Sequence, residues 1–377
     1  MLPNDPTLDI AAFSRIFNNT TNSYKLLLFK SLLTIISSNL HVNGVIDSKQ
    51  LSSLILAHAW VPSVYYKLYL GSQDQIYKHL YVLSLLDIDL ASSSKNHFEL
   101  ITDTISRNND EVITKDILKY VPYRLLQPFF SDELQGKKDA IKNALTTTLS
   151  CLHFDDKYPI YKIEHCKTDK LVKLTIHAQW LQYIKQNFAI ISGWVELNWV
   201  QYLQAKNPNT PTITSKTSLD FDRISLVKQR KFWDKYLEDN QLECIFTGEI
   251  LTKSNYALDH FIPWTYVAHN QYWNLIPIIS SCNSSKSNKL PNKTFIDSFT
   301  STHVQVITFA LKNNNKAVIE DYLCTLHCTI DDLSNETEFK RKLAELIANL
   351  IDSAALQGFE QNWTWKQSDD SILQSEF

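Results

Sequence analysis

Hydrophobic residues in the first 150 positions recur mainly at intervals of three and four, the spacing that gathers them on one face of an α-helix. Residues 21–40 form one such segment, and residues 51–66 form another. The Asn43-Gly44 pair between them predicts a turn, and Pro62 is expected to kink the second helix or to begin a turn. The N-terminal part is therefore predicted to be a helical bundle that supports or positions another part of the protein.

The spacing of hydrophobic residues changes at residues 158–176, where apolar and polar positions alternate as in half-buried strands. This alternation predicts a β-hairpin. A long, aromatic-rich helix is expected over residues 177–206, and Gly193 is the position where it would divide. The Asn-Pro-Asn-Thr-Pro segment that follows is the clearest linker of the chain. It separates a predicted N-terminal domain, residues 1–207, from a C-terminal domain, residues 208–377.

The C-terminal domain is predicted to combine helices with two short strands. A helix is expected over residues 220–237, and the apolar runs 256–258 and 275–279 suit the strands of a second hairpin. Ser280 or Ser281 is expected to cap a short helix that Pro291 must end. Further helices are predicted over residues 292–312, 316–328 and 336–357. The predicted fold class is mainly α with a small α+β core at about residues 220–300.

Four polar residues around the second hairpin have side chains that suit metal-dependent hydrolysis: Asp259, His260, Asn274 and Asn283. Mg²⁺ prefers oxygen ligands and retains several waters, so Asp259 and Asn283 are plausible ligands. A neutral histidine beside such an ion can accept a proton from water. Because adjacent residues of a strand face opposite ways, Asp259 and His260 serve one site only if the strand breaks there, which Pro263 favours.

Basic residues near these positions are candidates for contact with phosphate. Lys286 and Lys289 follow Asn283 by three and six positions, so at least Lys286 shares its helical face. Arg230 and Lys231 lie on the helix before the hairpin, where a solvated face is an equally good explanation for each. Residues 206–293 contain 11 Lys and Arg against 8 Asp and Glu, although the whole chain has a net charge of −3. A local basic surplus is the expected footprint of a nucleic acid.

This ordered set resembles the HNH endonuclease family, in the His-Asn-Asn variant also found in the HNH domain of CRISPR effector nucleases. The resemblance lies in Asp-His-x-x-Pro at 259–263, Asn-Leu at 274–275, and Cys-Asn-x-x-Lys from 282 with Leu-Pro at 290–291. It covers about fifty of the 377 residues. It implies a ββα-metal fold and one-metal hydrolysis of a nucleic-acid backbone, leaving 5′-phosphate and 3′-hydroxyl ends.

The resemblance also implies a role for each matched residue. His260 matches the general base, Asp259 and Asn283 match the metal ligands, and Asn274 matches the residue that holds the loop carrying the base. The expected cofactor is Mg²⁺ or Mn²⁺, and the expected partner is nucleic acid, with DNA favoured. Family members often serve in antiviral defence against phage or travel with mobile elements.

One departure from the family concerns zinc. Many HNH proteins clamp this fold with a zinc ribbon of two Cys-x-x-Cys pairs, but the corresponding positions here are Cys244, Thr247, Ile279 and Cys282. A structural zinc normally needs four ligands, so no structural Zn is expected and packing must hold the hairpin. Residues 324, 327 and 328 are Cys, His and Cys at helical spacing, where core packing is favoured over a metal cluster.

Composition argues against several other classes of protein. The chain has 6 glycines, and none lies in a P-loop or Rossmann phosphate-binding pattern. The apolar run 26–36 contains Lys30 and is too short to span a bilayer, so no membrane partner is expected. The first residues lack the pattern of a secretory leader, which favours free thiols and a cytoplasmic location.

Two alternatives to an active nuclease stay open at this point. The HNH core could be catalytically silent and act as a nucleic-acid-binding or scaffold protein, in line with the missing zinc ribbon and the acidic net charge. The nuclease could instead be held inactive by residues 1–207, by a regulatory protein partner or in an oligomer. The sequence leaves DNA against RNA, single against double strand, and the activating trigger undecided.

Overall fold

A computed structural model describes residues 2–83, 88, 96–166, 171–217 and 225–366. The chain forms two compact units. Unit 1 comprises residues 1–208 and 216–220, and unit 2 comprises residues 209–215 and 221–377.

Unit 1 is mainly helical, as the hydrophobic spacing predicts. Its helices are α1 (Ile10–Ser14), α2 (Tyr24–Ser37), α3 (Ser48–Trp60), α4 (Ile76–Val82), α5 (His97–Asn108), α6 (Glu111–Ile117), α7 (Val121–Leu126), α8 (Ser131–Leu134), α9 (Asp139–Leu152), α10 (Ala178–Gln186) and α11 (Phe188–Lys206). Helices α2 and α3 pack against each other. Side chains such as Leu27, Phe29 and Ile55 are completely buried there, and this burial stabilises the unit.

Two breaks in the helices of unit 1 have local causes. Helix α3 continues into a π-helical turn, Val61–Tyr65, in which Tyr66 N donates to Val61 O at 3.1 Å. Pro62 has no N–H to donate, so it favours this irregular turn. The predicted division at Gly193 is wrong, because that residue lies inside α11. The helix divides at Asn187, whose backbone N and side-chain Nδ2 both donate to Tyr183 O at 3.0 Å.

An antiparallel sheet in unit 1 contains the predicted hairpin. Its strands are β1 (Val45–Ile46), β2 (Tyr161–His165) and β3 (Val172–Ile176), in the order β1-β3-β2. Strand β1 follows a tight turn at Asn43-Gly44, where both residues have positive φ, as a type I′ turn requires. A Cβ at Gly44 would lie 2.7 Å from Ile176 O, so this close approach of two backbones needs glycine.

Unit 2 builds helices around a second hairpin. Its helices are α12 (Val227–Asp239), α13 (Trp264–Val267), α14 (Ser280–Lys286), α15 (Ile296–Lys312), α16 (Lys316–Leu326), α17 (Ile330–Ser334) and α18 (Glu336–Leu356). Strands β4 (Tyr256–His260) and β5 (Leu275–Ile279) pair antiparallel, with His260 opposite Leu275. The helix predicted over residues 220–237 corresponds to α12, and positions 220–224 of that prediction lie outside the described residues.

The hydrophobic core of unit 2 covers the hairpin on both faces. Leu275, Ile276 and Ile278 are neighbouring positions of β5 and are all completely buried, whereas a strand with one face in water would alternate. Phe261, directly after β4, stacks on Phe299 of α15 with ring centroids 4.0 Å apart. The hairpin is therefore fixed by side-chain packing against helices.

The architecture is mainly α with one three-stranded and one two-stranded sheet, which confirms the predicted fold class. The predicted cap of α14 is wrong in detail. The helix begins at Ser280 itself, and Ile279 precedes it without a side-chain capping bond. Within the described ranges, no helix has both the length and the apolar character needed to cross a membrane.

Candidate active site

Asp259 is a buried carboxylate on β4, with 6% of its surface exposed. Burial raises the pKa of this carboxyl, while the Lys286 ammonium and the His260 backbone N–H act in the opposite direction. A charged group is costly to bury without a partner, and Lys286 Nζ lies 2.9 Å from Asp259 Oδ2. Helix α14 therefore packs a cation against the acid of the hairpin.

Lys286 is itself completely buried. Its Nζ also donates to His260 O at 2.7 Å, so the ammonium joins the end of β4 to the last turn of α14. The sequence analysis predicts that this lysine contacts the phosphate of a nucleic acid. In the structure its charge faces the junction between hairpin and helix.

The side chains proposed as metal ligands offer oxygen atoms that fit a hard cation. The carboxylate of Asp259 has Lys286 Nζ at 2.9 Å from its Oδ2, so a bound cation would share this oxygen with the ammonium. Asn283 lies one turn before Lys286 on α14 and so shares its face. It is partly buried, and its amide forms no hydrogen bond with other described residues. A carboxylate oxygen and an amide oxygen are ligands that Mg²⁺ accepts.

The imidazole of His260 is oriented by Asn270. His260 Nε2 lies 2.9 Å from Asn270 Oδ1, and Gln229 of α12 holds the same loop by donating to Asn270 O at 2.9 Å. An amide oxygen at this distance suits the tautomer of a neutral imidazole in which Nε2 donates the hydrogen bond. Sequence reasoning missed Asn270, because no motif marks a polar residue in the middle of this loop.

The strand does not break between Asp259 and His260, contrary to the expectation from Pro263. His260 pairs with Leu275, and Phe261 N donates to Asn274 O at 2.8 Å. The ladder therefore continues one residue beyond β4. The carboxylate of Asp259 meets α14, and the imidazole of His260 meets the loop at Asn270. Because adjacent residues of an unbroken strand face opposite ways, the structure does not place these two side chains on one face of β4.

Asn274 is completely buried at the start of β5. Its Oδ1 accepts from Ile262 N at 2.8 Å, and its Nδ2 donates to Ile262 O at 2.9 Å. Both ends of one side-chain amide thus hold the backbone two residues after His260. This geometry closes the loop over residues 261–274, which carries the residues around the imidazole.

The cysteines at the former zinc-ribbon positions lie inside the core. Cys244 and Cys282 are both buried, and burial together with a hydrogen bond to Cys244 raises the pKa of the Cys282 thiol to about 12. Nowhere in the described residues do three or more His, Cys, Asp or Glu side chains converge in a way that could hold a metal. The helical face expected for Cys324, His327 and Cys328 does not form, because α16 ends at Leu326, and Cys324 is exposed.

A segment near the C-terminus, residues 360–363, binds the chain that leaves α14, and we call it the C-terminal strap. Leu290 N donates to Glu360 O at 2.8 Å, and Trp363 N donates to Leu290 O at 2.9 Å. The Trp363 ring packs on Phe246 with centroids 4.9 Å apart. Backbone pairing and aromatic packing therefore hold the helix that carries Asn283.

The predicted nucleic-acid contacts occupy several surfaces of unit 2. Arg230 is exposed, but its guanidinium lies 4.6 Å from the Tyr256 ring and donates to Tyr256 O at 3.3 Å. Lys289 lies 3.5 Å from Glu360 at the surface. Lys231 lies in a cleft of about 330 Å³ that is also lined by Lys228, Lys235, Phe232, Tyr272, Phe309, Asn313 and Asn315. The three lysines form no ion pair within the described residues, so this cleft is locally basic.

A two-stranded hairpin that ends in an acid and a histidine is followed by a short helix that carries Asn283, which is the order of elements in a ββα-metal nuclease core. The comparison with protein families agrees with this class: the family model for HNH endonuclease matches residues 243–292. The chain thus contains an HNH endonuclease domain, which indicates nuclease activity in general. No curated protein and no solved structure was found to match the chain.

Proposed function

We propose that this protein is a metal-dependent HNH endonuclease that hydrolyses nucleic-acid phosphodiester bonds, with DNA as its substrate. The observation that carries the proposal is the junction of β4 and α14 within the segment that matches the HNH family, where Asn270 orients the imidazole of His260. The proposal requires that the carboxylate of Asp259, on the other face of β4, reaches the same metal site when the metal binds. A role in phage defence or in a mobile element rests on the family resemblance.

Each residue at the junction has a separate role in the proposed reaction. His260 Nδ1 takes a proton from the attacking water, while Asn270 keeps Nε2 protonated and the ring in position. Asn274 holds the loop through Ile262. Asp259 and Asn283 would hold Mg²⁺ or Mn²⁺, which when bound supplies stabilisation of the charge that develops on the phosphate. Lys286 keeps the carboxylate of Asp259 in place through its ion pair.

The substrate backbone is proposed to follow the basic residues outside the junction. Lys231 and its two lysine neighbours in the cleft offer charges without carboxylate partners, which a phosphate backbone can neutralise. Arg230 and Lys289 would add contacts at the surface, after giving up part of their present interactions with Tyr256 and Glu360.

One observation favours a second candidate, a nucleic-acid-binding protein with a silent core. Lys286 Nζ is 2.9 Å from the carboxylate that would ligate the metal, so an ammonium already compensates part of the charge that attracts a cation. Such a protein would bind nucleic acid through the lysine cleft without cutting it.

The test uses the full-length protein with supercoiled plasmid, single-stranded DNA and RNA, in Mg²⁺ or Mn²⁺ and in EDTA. Wild type is expected to cut DNA only with metal. His260→Ala should lower the rate by about 100- to 10,000-fold, the usual contribution of general acid–base catalysis. His165→Ala is the matched control, because His165 ends β2 as His260 ends β4, and it should cut like wild type.

Equal cleavage by wild type and His260→Ala would refute the assignment of the base. Binding without metal-dependent cleavage in wild type, with affinity unchanged in His260→Ala, would establish the silent alternative. Cleavage of RNA alone would keep the mechanism and replace the substrate.

A further inference from the structure

Unit 1 contains a cavity of about 550 Å³ that none of the foregoing chemistry uses. Its walls come from the chain before and at the start of α2, from the chain before α4, and from α6, α7 and the first residue of α9. This volume lies in the range of sites that take small organic ligands.

The cavity is lined mainly by side chains that form hydrogen bonds. Several of them are amides whose bonding capacity is unused: Asn22, Gln73 and Gln127 form no side-chain hydrogen bond within the part of the chain that the structure describes. Each amide offers both a donor and an acceptor. The lining therefore suits a polar ligand with several hydroxyl, amino or carbonyl groups.

Two cations of the lining have no carboxylate partner. Lys25 Nζ donates to two backbone carbonyls, Ile16 O and Asn19 O, each at 3.3 Å. The Arg124 guanidinium lies 5.1 Å from the centroid of the Tyr120 ring. Neither side chain forms an ion pair with the described acidic residues. Burial lowers the pKa of Lys25, and the charge of Arg124 lowers it further, so the two cations repel each other across the site.

The acidic residues of the lining are directed to other groups. Asp116 lies 3.2 Å from His79 Nε2. Asp139 lies 3.7 Å from Lys142, and its side chain is 77% exposed at the rim. An anion between Lys25 and Arg124 would therefore relieve a repulsion that no carboxylate of the described residues relieves. Asp116 remains an acceptor for a hydroxyl or amino group of the same ligand.

We propose that this cavity binds a phosphorylated small molecule of nucleotide size, with its phosphate on Lys25 and Arg124 and its hydroxyl or amino groups on Asp116 and the amides. The glycine-based phosphate loops are missing from the sequence, so the phosphate contacts here come from side chains. The proposal does not depend on nuclease activity, because every residue involved belongs to unit 1.

The test is isothermal titration calorimetry on the full chain in EDTA, with pyrophosphate, AMP, ATP and adenosine as probes. At least one phosphorylated probe should bind saturably at one site, and adenosine should bind at least about 10-fold more weakly than AMP. Arg124→Gln should weaken binding about 10-fold or more, which corresponds to the loss of one charge-assisted contact.

Lys119→Gln is the matched control, because Lys119 lies at the same 5.1 Å from the Tyr120 ring but outside the lining. It should bind like wild type. Gln73→Ala, at an exposed lining position, should weaken binding a few-fold and serves if Arg124→Gln is unstable. The proposal is overturned if no phosphorylated probe binds, if Arg124→Gln and Gln73→Ala both bind like wild type, or if Lys231→Gln in unit 2 abolishes binding.

Discussion

Within the described residues, the β2–β3 hairpin of unit 1 and the β4–β5 hairpin of unit 2 each pair two strands of five residues. The two hairpins bury different kinds of side chain. In β2–β3 of unit 1, the buried positions are apolar, as at Ile163 and Leu174. The polar positions between them reach the surface, where Lys162 and Glu164 lie 3.5 Å apart. Packing and solvation account for the residues of these two strands.

In the β4–β5 hairpin of unit 2, one polar residue of a strand is buried in the core. Asp259 is buried against Lys286, and both charges have left the water. Such a pair seldom stabilises a fold more than apolar residues of the same size would, because of the desolvation cost. Burial of an acid where an apolar residue would serve the packing better therefore agrees with the proposed chemical role of Asp259. The alternating pattern of β2 and β3 and the apolar run of β5 already differ in sequence, but neither pattern shows that Asp259 is buried.

The largest expected effect on stability comes from Asp259→Asn. This change leaves the Lys286 ammonium buried without its anion, and breaking a buried pair in this way costs about 3–5 kcal/mol. Hydrogen exchange of residues 256–279, followed by mass spectrometry, should show this loss in the hairpin of unit 2. Metal-dependent cleavage should disappear as well.

Two controls separate the ion pair from the rest of this effect. Glu164→Gln alters the exposed pair on β2 and should cost less than about 1 kcal/mol. The double variant Asp259→Asn/Lys286→Met should recover much of the lost stability, because it removes the orphaned charge. Unchanged protection in Asp259→Asn alone would contradict the view that the buried pair supports the hairpin.

Asn274→Ala should have the next largest effect. It leaves Ile262 N and Ile262 O unsatisfied in a buried loop. Each unsatisfied group costs at least about 1 kcal/mol, so we expect a loss of at least about 2 kcal/mol. Asn255→Ala is the matched control, because Asn255 bonds Thr252 N and Ile250 O in the same two-ended way at an exposed turn. Chemical denaturation monitored by hydrogen exchange should show a larger loss of stability in Asn274→Ala than in Asn255→Ala. Equal losses of stability would show that burial of the loop is unimportant.

A pH titration should show how the packing of the unit 2 hairpin depends on a neutral histidine. His303 of α15 is buried against Phe299, with ring centroids 4.3 Å apart, and burial lowers its pKa from 6.5 to about 3. Between these values the unfolded state binds a proton that the folded state does not, so stability falls as pH decreases from 6.5 and levels off below about 3. At pH 5 the loss should be about 2 kcal/mol.

The control for this titration is His303→Gln, which keeps a polar group near the Tyr322 hydroxyl that now lies 2.5 Å from His303 Nδ1. Protection of residues 256–279 should depend less on pH in the variant than in wild type. The comparison is made between these two proteins because His58 in unit 1 also has a pKa lowered to about 3 by burial. Parallel pH profiles in both proteins would eliminate His303 as the source.

The smallest expected effect is that of Asn270→Ala, and it sharpens the chemical side of the comparison. Asn270 acts on the reaction through the His260 ring, so its loss should lower kcat about 10-fold, or ~1.4 kcal/mol, with KM little changed. The pH–rate profile should shift as well, because Nε2 loses its acceptor. A change in KM alone would argue that the loop binds substrate instead of orienting the base.

Much of the fold could be predicted because it depends on local spacing. Both five-residue hairpins follow from alternation or apolar runs, and the Asn43-Gly44 turn follows from the need for positive φ. The points at which helices end were harder to predict, because they depend on which backbone groups form hydrogen bonds with side chains. Asn187 ends α10 by bonding Tyr183 O, whereas Gly193 is tolerated inside α11.

The candidate site could be predicted only as far as residue types at fixed spacing allow. Asp259, His260, Asn274 and Asn283 form an ordered motif, so the sequence marks them together. Asn270 has no such mark, since its importance comes from lying 2.9 Å from the imidazole. The spacing that puts Lys286 beside Asn283 equally suits an outward or an inward ammonium, and only tertiary packing selects the inward one.

The C-terminal strap has a consequence for the order in which unit 2 can fold during synthesis on the ribosome. Trp363 and Glu360 are synthesised long after the acid, the imidazole and α14, yet they bind the chain at Leu290. A polypeptide that lacks residues 360–363 would therefore hold every residue of the candidate site without this clamp on α14. If the protein is the nuclease proposed above, its cleavage activity would then appear only after the strap has been synthesised and has paired with Leu290.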